Sequence, residues 1–247
     1  MTRRIINHLS KSDAVLAGLI KAAGPYRLVP QLEHTLFRAL AHAISHQQLH
    51  ANAANAILKR FVASCSKGDF PTPEEVLAAP TKKMRAAGFS LAKIAALKDL
   101  AKKTLEGVVP GRAVLGGLED AAIIERITQV RGIGRWTVEM MLMFQLGRPD
   151  VLPADDFGVR NGFRLTYGLR KMPAPRALAA YGERWRPHRT AAAWYLWRAV
   201  DLARARKLPA PSERIRLPRV KRRKAPRKRA NLAQKSASQK AKRACAS

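Results

Sequence analysis

The stretch Val130-Arg131-Gly132-Ile133-Gly134-Arg135-Trp136-Thr137 decides how this chain is read. Two glycines separated by one residue stand between two segments of helical apolar pattern, so the chain must reverse direction within a few residues. Without Cβ atoms the backbone can turn tightly, approach another surface and expose amides at the start of the next helix, an arrangement suited to a phosphate. The same Gly-Ile-Gly also serves as a plain helix–helix turn. The following segment, residues 135–146, is apolar on most faces and reads as a buried central helix.

On either side of this turn, residues 1–206 read as helix after helix with short polar or Gly/Pro breaks. Ser12-Asp13 caps a helix through Ala22, and Gly24-Pro25 stops it. Further helices are expected near 33–45, 50–64, 73–79, 81–87, 91–105, 120–129, 156–167, 174–183 and 188–205. No run of alternating apolar residues is long enough for a sheet, so the expected class is all-α. Residues 107–117 combine breakers with little amphipathic pattern and suggest a crossing between two helical lobes, with a ligand cleft between them.

The chain has 247 residues and a formal net charge of +30, from 47 Lys and Arg against 17 Asp and Glu. An acidic or neutral surface field is excluded, and a pI near 11.4 points to a polyanionic partner. The 47% hydrophobic content still allows an ordinary core. From Arg206 onward sixteen Lys and Arg face one acid, Glu213, so about half of the excess sits in the last sixth of the chain. Proline-punctuated and poor in large apolar residues, 207–247 reads as a disordered Lys/Arg-rich tail beyond a 1–206 helical domain. Cys65 and Cys245 are too few for a disulfide framework or a four-cysteine metal site, which favours a reducing compartment. Polar residues interrupt every apolar run before it reaches spanning length, so no membrane association is expected.

About twenty residues after the hairpin comes Leu152-Pro153-Ala154-Asp155-Asp156-Phe157. An aspartate here can simply cap a helix. It can also be the fixed anion that opposes positive charge growing on a sugar during glycosidic cleavage. With the hairpin, this stretch resembles the helix-hairpin-helix (HhH-GPD) DNA glycosylases, and within them the DNA-3-methyladenine glycosylase II (alkylation-repair) family. The resemblance extends through His8-Leu9-Ser10-Lys11-Ser12-Asp13, Ile44-Ser45-His46-Gln47-Gln48-Leu49, Arg85-Ala86-Ala87-Gly88-Phe89-Ser90-Leu91-Ala92-Lys93 and Tyr181-Gly182-Glu183-Arg184-Trp185-Arg186-Pro187, covering roughly residues 5–205.

The resemblance implies a two-lobed helical fold with its active-site cleft between the lobes, and base excision repair of double-stranded DNA containing alkylated bases by base flipping. Asp156 aligns with the catalytic aspartate, with Asp155 beside it. Trp136 stands where relatives that also cut the backbone carry a nucleophilic lysine, so no Schiff base and no lyase activity are expected. Trp136 and Trp197 fall at substrate-pocket positions for a cationic purine, while an aromatic expected four residues after the first tryptophan is replaced by Met140. Gly132, Ile133, Gly134 and Arg135 are the implied DNA-binding hairpin. Gln48, with Leu49 adjacent, is the implied wedge that fills the gap left by the base.

No cofactor is required; a structural Na+ or K+ at the hairpin would be held by the main-chain carbonyls of Thr128, Val130 and Gly132. His42, His46 and His50 have metal-like spacing but no partnering carboxylate, which argues against zinc. A monomer is expected, cytoplasmic and nucleoid-associated in a bacterium or nuclear in a eukaryote. Two alternatives remain at this level: a non-catalytic helix-hairpin-helix architectural protein, and a sister glycosylase for other damaged bases.

The division of charge predicts that removing the basic tail weakens DNA binding and flattens its salt dependence, while single-turnover chemistry at saturation is preserved. Salt titrations of the truncated chain beside single-turnover rates check this; loss of the chemical step would refute it.

Overall fold

The structure, a computed structural model, describes residues 2–66 and 69–218. Among these residues there is no β-strand. The helices are α1 (Thr2–Ser12), α2 (Ala14–Ala23), α3 (Leu36–His46), α4 (Ala51–Cys65), α5 (Pro73–Ala78), α6 (Thr81–Ala87), α7 (Leu91–Leu105), α8 (Arg112–Gly116), α9 (Asp120–Ile127), α10 (Arg135–Phe144), α11 (Phe157–Thr166), α12 (Pro175–Gly182) and α13 (Arg189–Arg204), with a 3-10 turn over Glu183–Trp185. None is long and apolar enough to cross a membrane.

Two lobes form, and they are not sequential halves. Helices α3 to α7 pack together, with α10 reaching α3 and α9, whereas α1 and α2 pack with α11, α13 and the 3-10 turn. The chain therefore crosses between lobes at residues 24–35 and 145–156, where the Gln31 N–H donates to the Phe144 carbonyl at 2.7 Å. Residues 107–117, expected to be the crossing, stay within the first lobe. They contain the short α8, whose Leu115 is fully buried, and Arg126 fastens the Gly107 and Val108 carbonyls at 2.6 and 3.0 Å. Glycine and proline mark a break in regular structure; only the apolar pattern of the flanking helices could show which lobe each joins.

The N-terminal helix α1 goes beyond the sequence reading; its Ile5 and Leu9, four residues apart, face the core. Its partner α2 is fixed by Asp13, only 4% exposed. Asp13 Oδ1 accepts the Leu16 N–H at 3.0 Å, while Oδ2 accepts the Tyr167 hydroxyl at 2.6 Å and the Trp185 indole N–H at 2.9 Å. One side chain thus starts a helix and ties the first 23 residues to the last 50 of the second lobe. Burial and the Asp13 charge push the Tyr167 hydroxyl well above its ordinary pKa.

Helices α11 and α13 approach closely because Gly158 and Gly162, four residues apart, share a face of α11. A Cβ at Gly162 would lie 1.8 Å from the Leu196 carbonyl oxygen, and one at Gly158 would lie 2.8 Å from Trp197 Cδ1. Leu208, Ile215 and Leu217 are partly buried against the core, and Gly168 approaches Pro211. Within residues 207–218 these three apolar side chains rest against the body, while the other residues of the segment are exposed. The remainder of the expected tail, 219–247, lies outside the described residues.

Replacing Gly162 by Ala is expected to lower stability by about 2–3 kcal/mol, because the added methyl meets backbone rather than a movable side chain. Urea denaturation of the Gly162→Ala protein checks this; an unchanged midpoint would contradict the close approach.

Candidate active site

The hairpin is built from backbone bonds. Val130 N–H donates to the Ile127 carbonyl at 3.1 Å and Ile133 N–H to the Val130 carbonyl at 3.1 Å, with Gly132 at φ +78°, where only glycine sits without strain. Ile133 is 4% exposed, so its side chain anchors the turn and its amide is spent within it. Gly132, Gly134, Arg131 and Arg135 are exposed, and no side chain caps the N-terminus of α10. Of the hairpin residues expected to contact DNA, Ile133 is the one whose side chain the fold turns inward. Asp99 of α7 accepts the Arg131 N–H at 2.7 Å and pairs with Lys103 at 2.9 Å. Burial would raise the Asp99 pKa, but these two partners outweigh it and hold the carboxylate below its ordinary range.

Asp156 caps α11, and its carboxylate joins three elements. Oδ1 accepts the Val159 N–H at 2.7 Å and the Trp197 indole N–H at 2.8 Å; Oδ2 accepts the Trp136 indole N–H at 2.8 Å. The cap thus occupies Oδ1 without consuming the carboxylate, which also holds two indole N–H groups. Asp155 is exposed and outside this set of bonds. Trp136 is 49% exposed, with its N–H fixed and ring surface left free. Phe144 stacks on Trp197, ring centroids 5.9 Å apart at 24°. Of the other aromatics near these positions, Tyr195 is core, Trp194 packs edge-on against Tyr26, and Phe157 stands 70% exposed beside Asp156.

Beside this cluster lies a cavity of about 590 Å3 between α3 and α10, lined by Trp136, Met140, Phe144 and Gln145 on one side and His42 and Gln47 on the other. Asp156 does not line it; Trp136 does, and its indole N–H donates to the Asp156 carboxylate. Trp136/Thr137, Met140/Met141 and Phe144/Gln145 recur every four residues, so one face of α10 forms the wall. Glu139 is buried and pairs with Arg135 at 2.8 Å. Burial first, then the charges of Asp155 and Asp156, push its pKa up against the pull of Arg135.

At the rim, Gln48 has φ +57°, and both Gln48 and Leu49 are exposed. Neighbouring Gln47 donates from Nε2 to the Gly132 carbonyl at 2.9 Å, tying this loop to the hairpin. That bond, the Phe144 stack and the two glycines of α11 are what sequence reasoning missed; only the glycine spacing was visible in advance. The histidines do not form a metal cluster. His42 and His46 stack at 3.8 Å, but His46 spends both ring nitrogens on the His42 carbonyl and Asn55, and His50 only begins α4. Among the described residues no group of three metal-ligating side chains occurs.

A sequence model described as "HhH-GPD superfamily base excision DNA repair protein" matches residues 41–187. The chain is 45% identical over 197 residues to DNA-3-methyladenine glycosylase 1 of Schizosaccharomyces pombe, covering 79% of this chain and 86% of that protein. The solved structure of the fission yeast 3-methyladenine DNA glycosylase in complex with abasic DNA superposes with a TM-score of 0.73 at 44% identity, covering 81% of this chain and 98% of that one. The DNA-3-methyladenine glycosidase of Bacillus halodurans superposes with a TM-score of 0.74 at 32% identity, covering 81% and 91%. Agreement in sequence and backbone over most of its length makes this chain a member of the HhH-GPD superfamily of base excision DNA repair proteins.

Proposed function

We propose that this protein is a monofunctional DNA glycosylase that extrudes alkylated purines, such as 3-methyladenine and 7-methylguanine, from duplex DNA and hydrolyses the N-glycosidic bond, leaving an abasic site. The observation that carries the reading is the Asp156 carboxylate, immobilised by three N–H donors beside an aromatic cavity. The fission yeast and Bacillus relatives support it by what their names say of them.

Alkylation at N3 or N7 makes the purine a cation, so it departs neutral and needs no general acid. The electron pair of the C1′–N9 bond goes to the base, positive charge grows on the sugar, and Asp156 opposes it. Water oxygen bonds to C1′ and its proton passes to the carboxylate. One carboxylate then suffices where O-glycoside hydrolysis uses two. Three of the roughly four acceptor sites on a carboxylate are taken by N–H groups, which leaves one for this work. The rings of Trp136 and Phe144 supply a polarisable wall for a cationic base, and Trp197, which does not line the cavity, backs Phe144 by stacking on it. Among the described residues no lysine lines the cavity, and Trp136 offers no amine for a Schiff base.

Gly132, Gly134 and Arg135 would hold a phosphate at the start of α10, on a turn anchored by Ile133. Gln48 and Leu49, exposed at the rim, would occupy the gap left in the duplex. The carbonyls of Val130 and Gly132 each already accept one hydrogen bond and keep a second lone pair, so with Thr128 they fit a monovalent cation. Such an ion would bring positive charge to a bound phosphate, and no step of the chemistry depends on it. The basic segment beyond residue 218 adds sequence-independent grip, and the protein acts as a monomer where chromosomal DNA lies, in the nucleoid or the nucleus.

Asp156→Asn is expected to lower release of free bases from methylated DNA by about 10²–10³-fold, with affinity for abasic DNA kept because Asn still caps α11. Chromatographic quantitation of released bases checks it, and undiminished release would remove Asp156 from the reaction. In a separate test, borohydride added during turnover is expected to trap no protein–DNA adduct; a trapped adduct would show an amine nucleophile that Trp136 cannot be.

A further inference from the structure

The loop that presents Gln48 is a tight turn built with a residue ill suited to its shape. Leu49 N–H donates to the His46 carbonyl at 3.3 Å, and between them Gln47 stands at φ −54°, ψ 129° and Gln48 at φ +57°. This is the dihedral pattern of a type II turn, whose third position requires a left-handed residue and is ordinarily glycine. The hairpin turn, closed by Ile133 N–H on the Val130 carbonyl at 3.1 Å, does put a glycine in its left-handed place, Gly132 at φ +78°. A glutamine held left-handed persists where its surroundings fix it. In exchange it supplies what glycine lacks, a side chain at the rim.

The fixing contacts come from α7, α4 and the hairpin. Lys93 of α7 donates to the Ser45 carbonyl at 2.6 Å, and His46 Nε2 shares a hydrogen bond with Asn55 of α4 at 2.9 Å. These two hold the end of α3, the stem of the turn. Gln47 reaches the other way and donates from Nε2 to the Gly132 carbonyl at 2.9 Å, so the residue before Gln48 is fastened to the left-handed residue of the hairpin.

We propose that Gln47 is a positioning residue for base extrusion: its bond to the Gly132 carbonyl sets the Gln48 turn against the hairpin, so that the surface gripping phosphate and the side chain entering the duplex act as one body. The inference rests on the glycosylase reading above, in which Gln48 fills the gap left by the base. A wedge free to swing relative to the hairpin would have to be ordered during extrusion, and that entropy would be charged to the extrusion step. Gln47 shares no hydrogen bond with Asp156 or with the donors on it, so its effect falls on extrusion and not on bond cleavage.

The test measures single-turnover release of 7-methylguanine placed at a defined position of a duplex, either opposite cytosine, where pairing holds it in the stack, or opposite adenine, where the mismatch has already loosened it. Gln47→Met keeps volume and loses the donor. It is expected to slow release about tenfold opposite cytosine and less than about twofold opposite adenine, while affinity for undamaged duplex, which reports on folding and on the hairpin grip, holds. Gln48→Gly, which removes the wedge side chain, is expected to show the same selectivity, and adding Gln47→Met to it to cause no further loss, because Gln47 acts through Gln48. No fall in Gln47→Met, an equal fall on both duplexes, or losses that add in the double variant would overturn the assignment of Gln47 and leave the glycosylase reading standing. No release from either duplex by the unaltered protein would overturn the glycosylase reading for this lesion, and the Gln47 assignment with it.

Discussion

Three N–H groups from three places in the fold converge on the Asp156 carboxylate: the first turn of α11, Trp136 at the start of α10, and Trp197 in α13. Each partner imposes a demand elsewhere. Trp197 can reach Asp156 only because Gly158 and Gly162 let α13 lie against α11. Trp136 can reach it only because the hairpin delivers α10 with its first turn facing the second lobe, and that hairpin is fastened to α7 through Asp99. The lobes therefore meet on one carboxylate, and the cavity beside it takes its shape from the same contacts.

The chain uses this chemistry twice. Asp13 also caps a helix, also accepts an indole N–H, and also takes a third donor, the Tyr167 hydroxyl. At 4% exposure, among Phe163, Tyr167, Tyr181 and Trp185, Asp13 has no route to a substrate and its bonds are purely cohesive. Asp156 is partly exposed, its Trp136 partner is half open, and the cavity adjoins it. The donor sets are nearly alike, so access is what separates the two carboxylates. Motif reading alone could not separate them, since both stand at helix starts.

Much of the fold was legible because helices announce themselves through spacing and breakers. The ends of α2, α4, α7 and α10 fall within a few residues of where capping residues and periodicity put them. The lobes were misjudged because lobe membership depends on which apolar faces meet, and α1 and α2 join helices more than 130 residues away. At the site, residue types carried Asp156, Trp136 and Trp197, whereas Gln47 and Phe144 became visible only once α3 and α10 were set face to face. A glutamine at the end of a helix carries no signal in one dimension; its significance comes from the carbonyl it reaches. Ile133 shows the converse, since its place in a phosphate-binding turn gives no hint that its side chain points into the core.

The net charge poses a physical problem that the cavity resolves. A body this basic attracts a polyanion, but the same field repels a cationic purine from the protein interior. Among the described residues none that lines the cavity is Lys or Arg; the lining offers aromatic and thioether surface, glutamines, and two histidines. Burial, the neighbouring His46 and then Arg38 lower the pKa of His42 from its ordinary value. Arg131 and Arg135 stand exposed at the hairpin, and Trp136, which lines the cavity, carries the Asp156 carboxylate on its indole N–H. A cationic base leaving a field of lysines and arginines for that cavity moves down in electrostatic energy, whereas a neutral base gains nothing from the transfer beyond stacking. Discrimination between damaged and undamaged purines can therefore begin with charge.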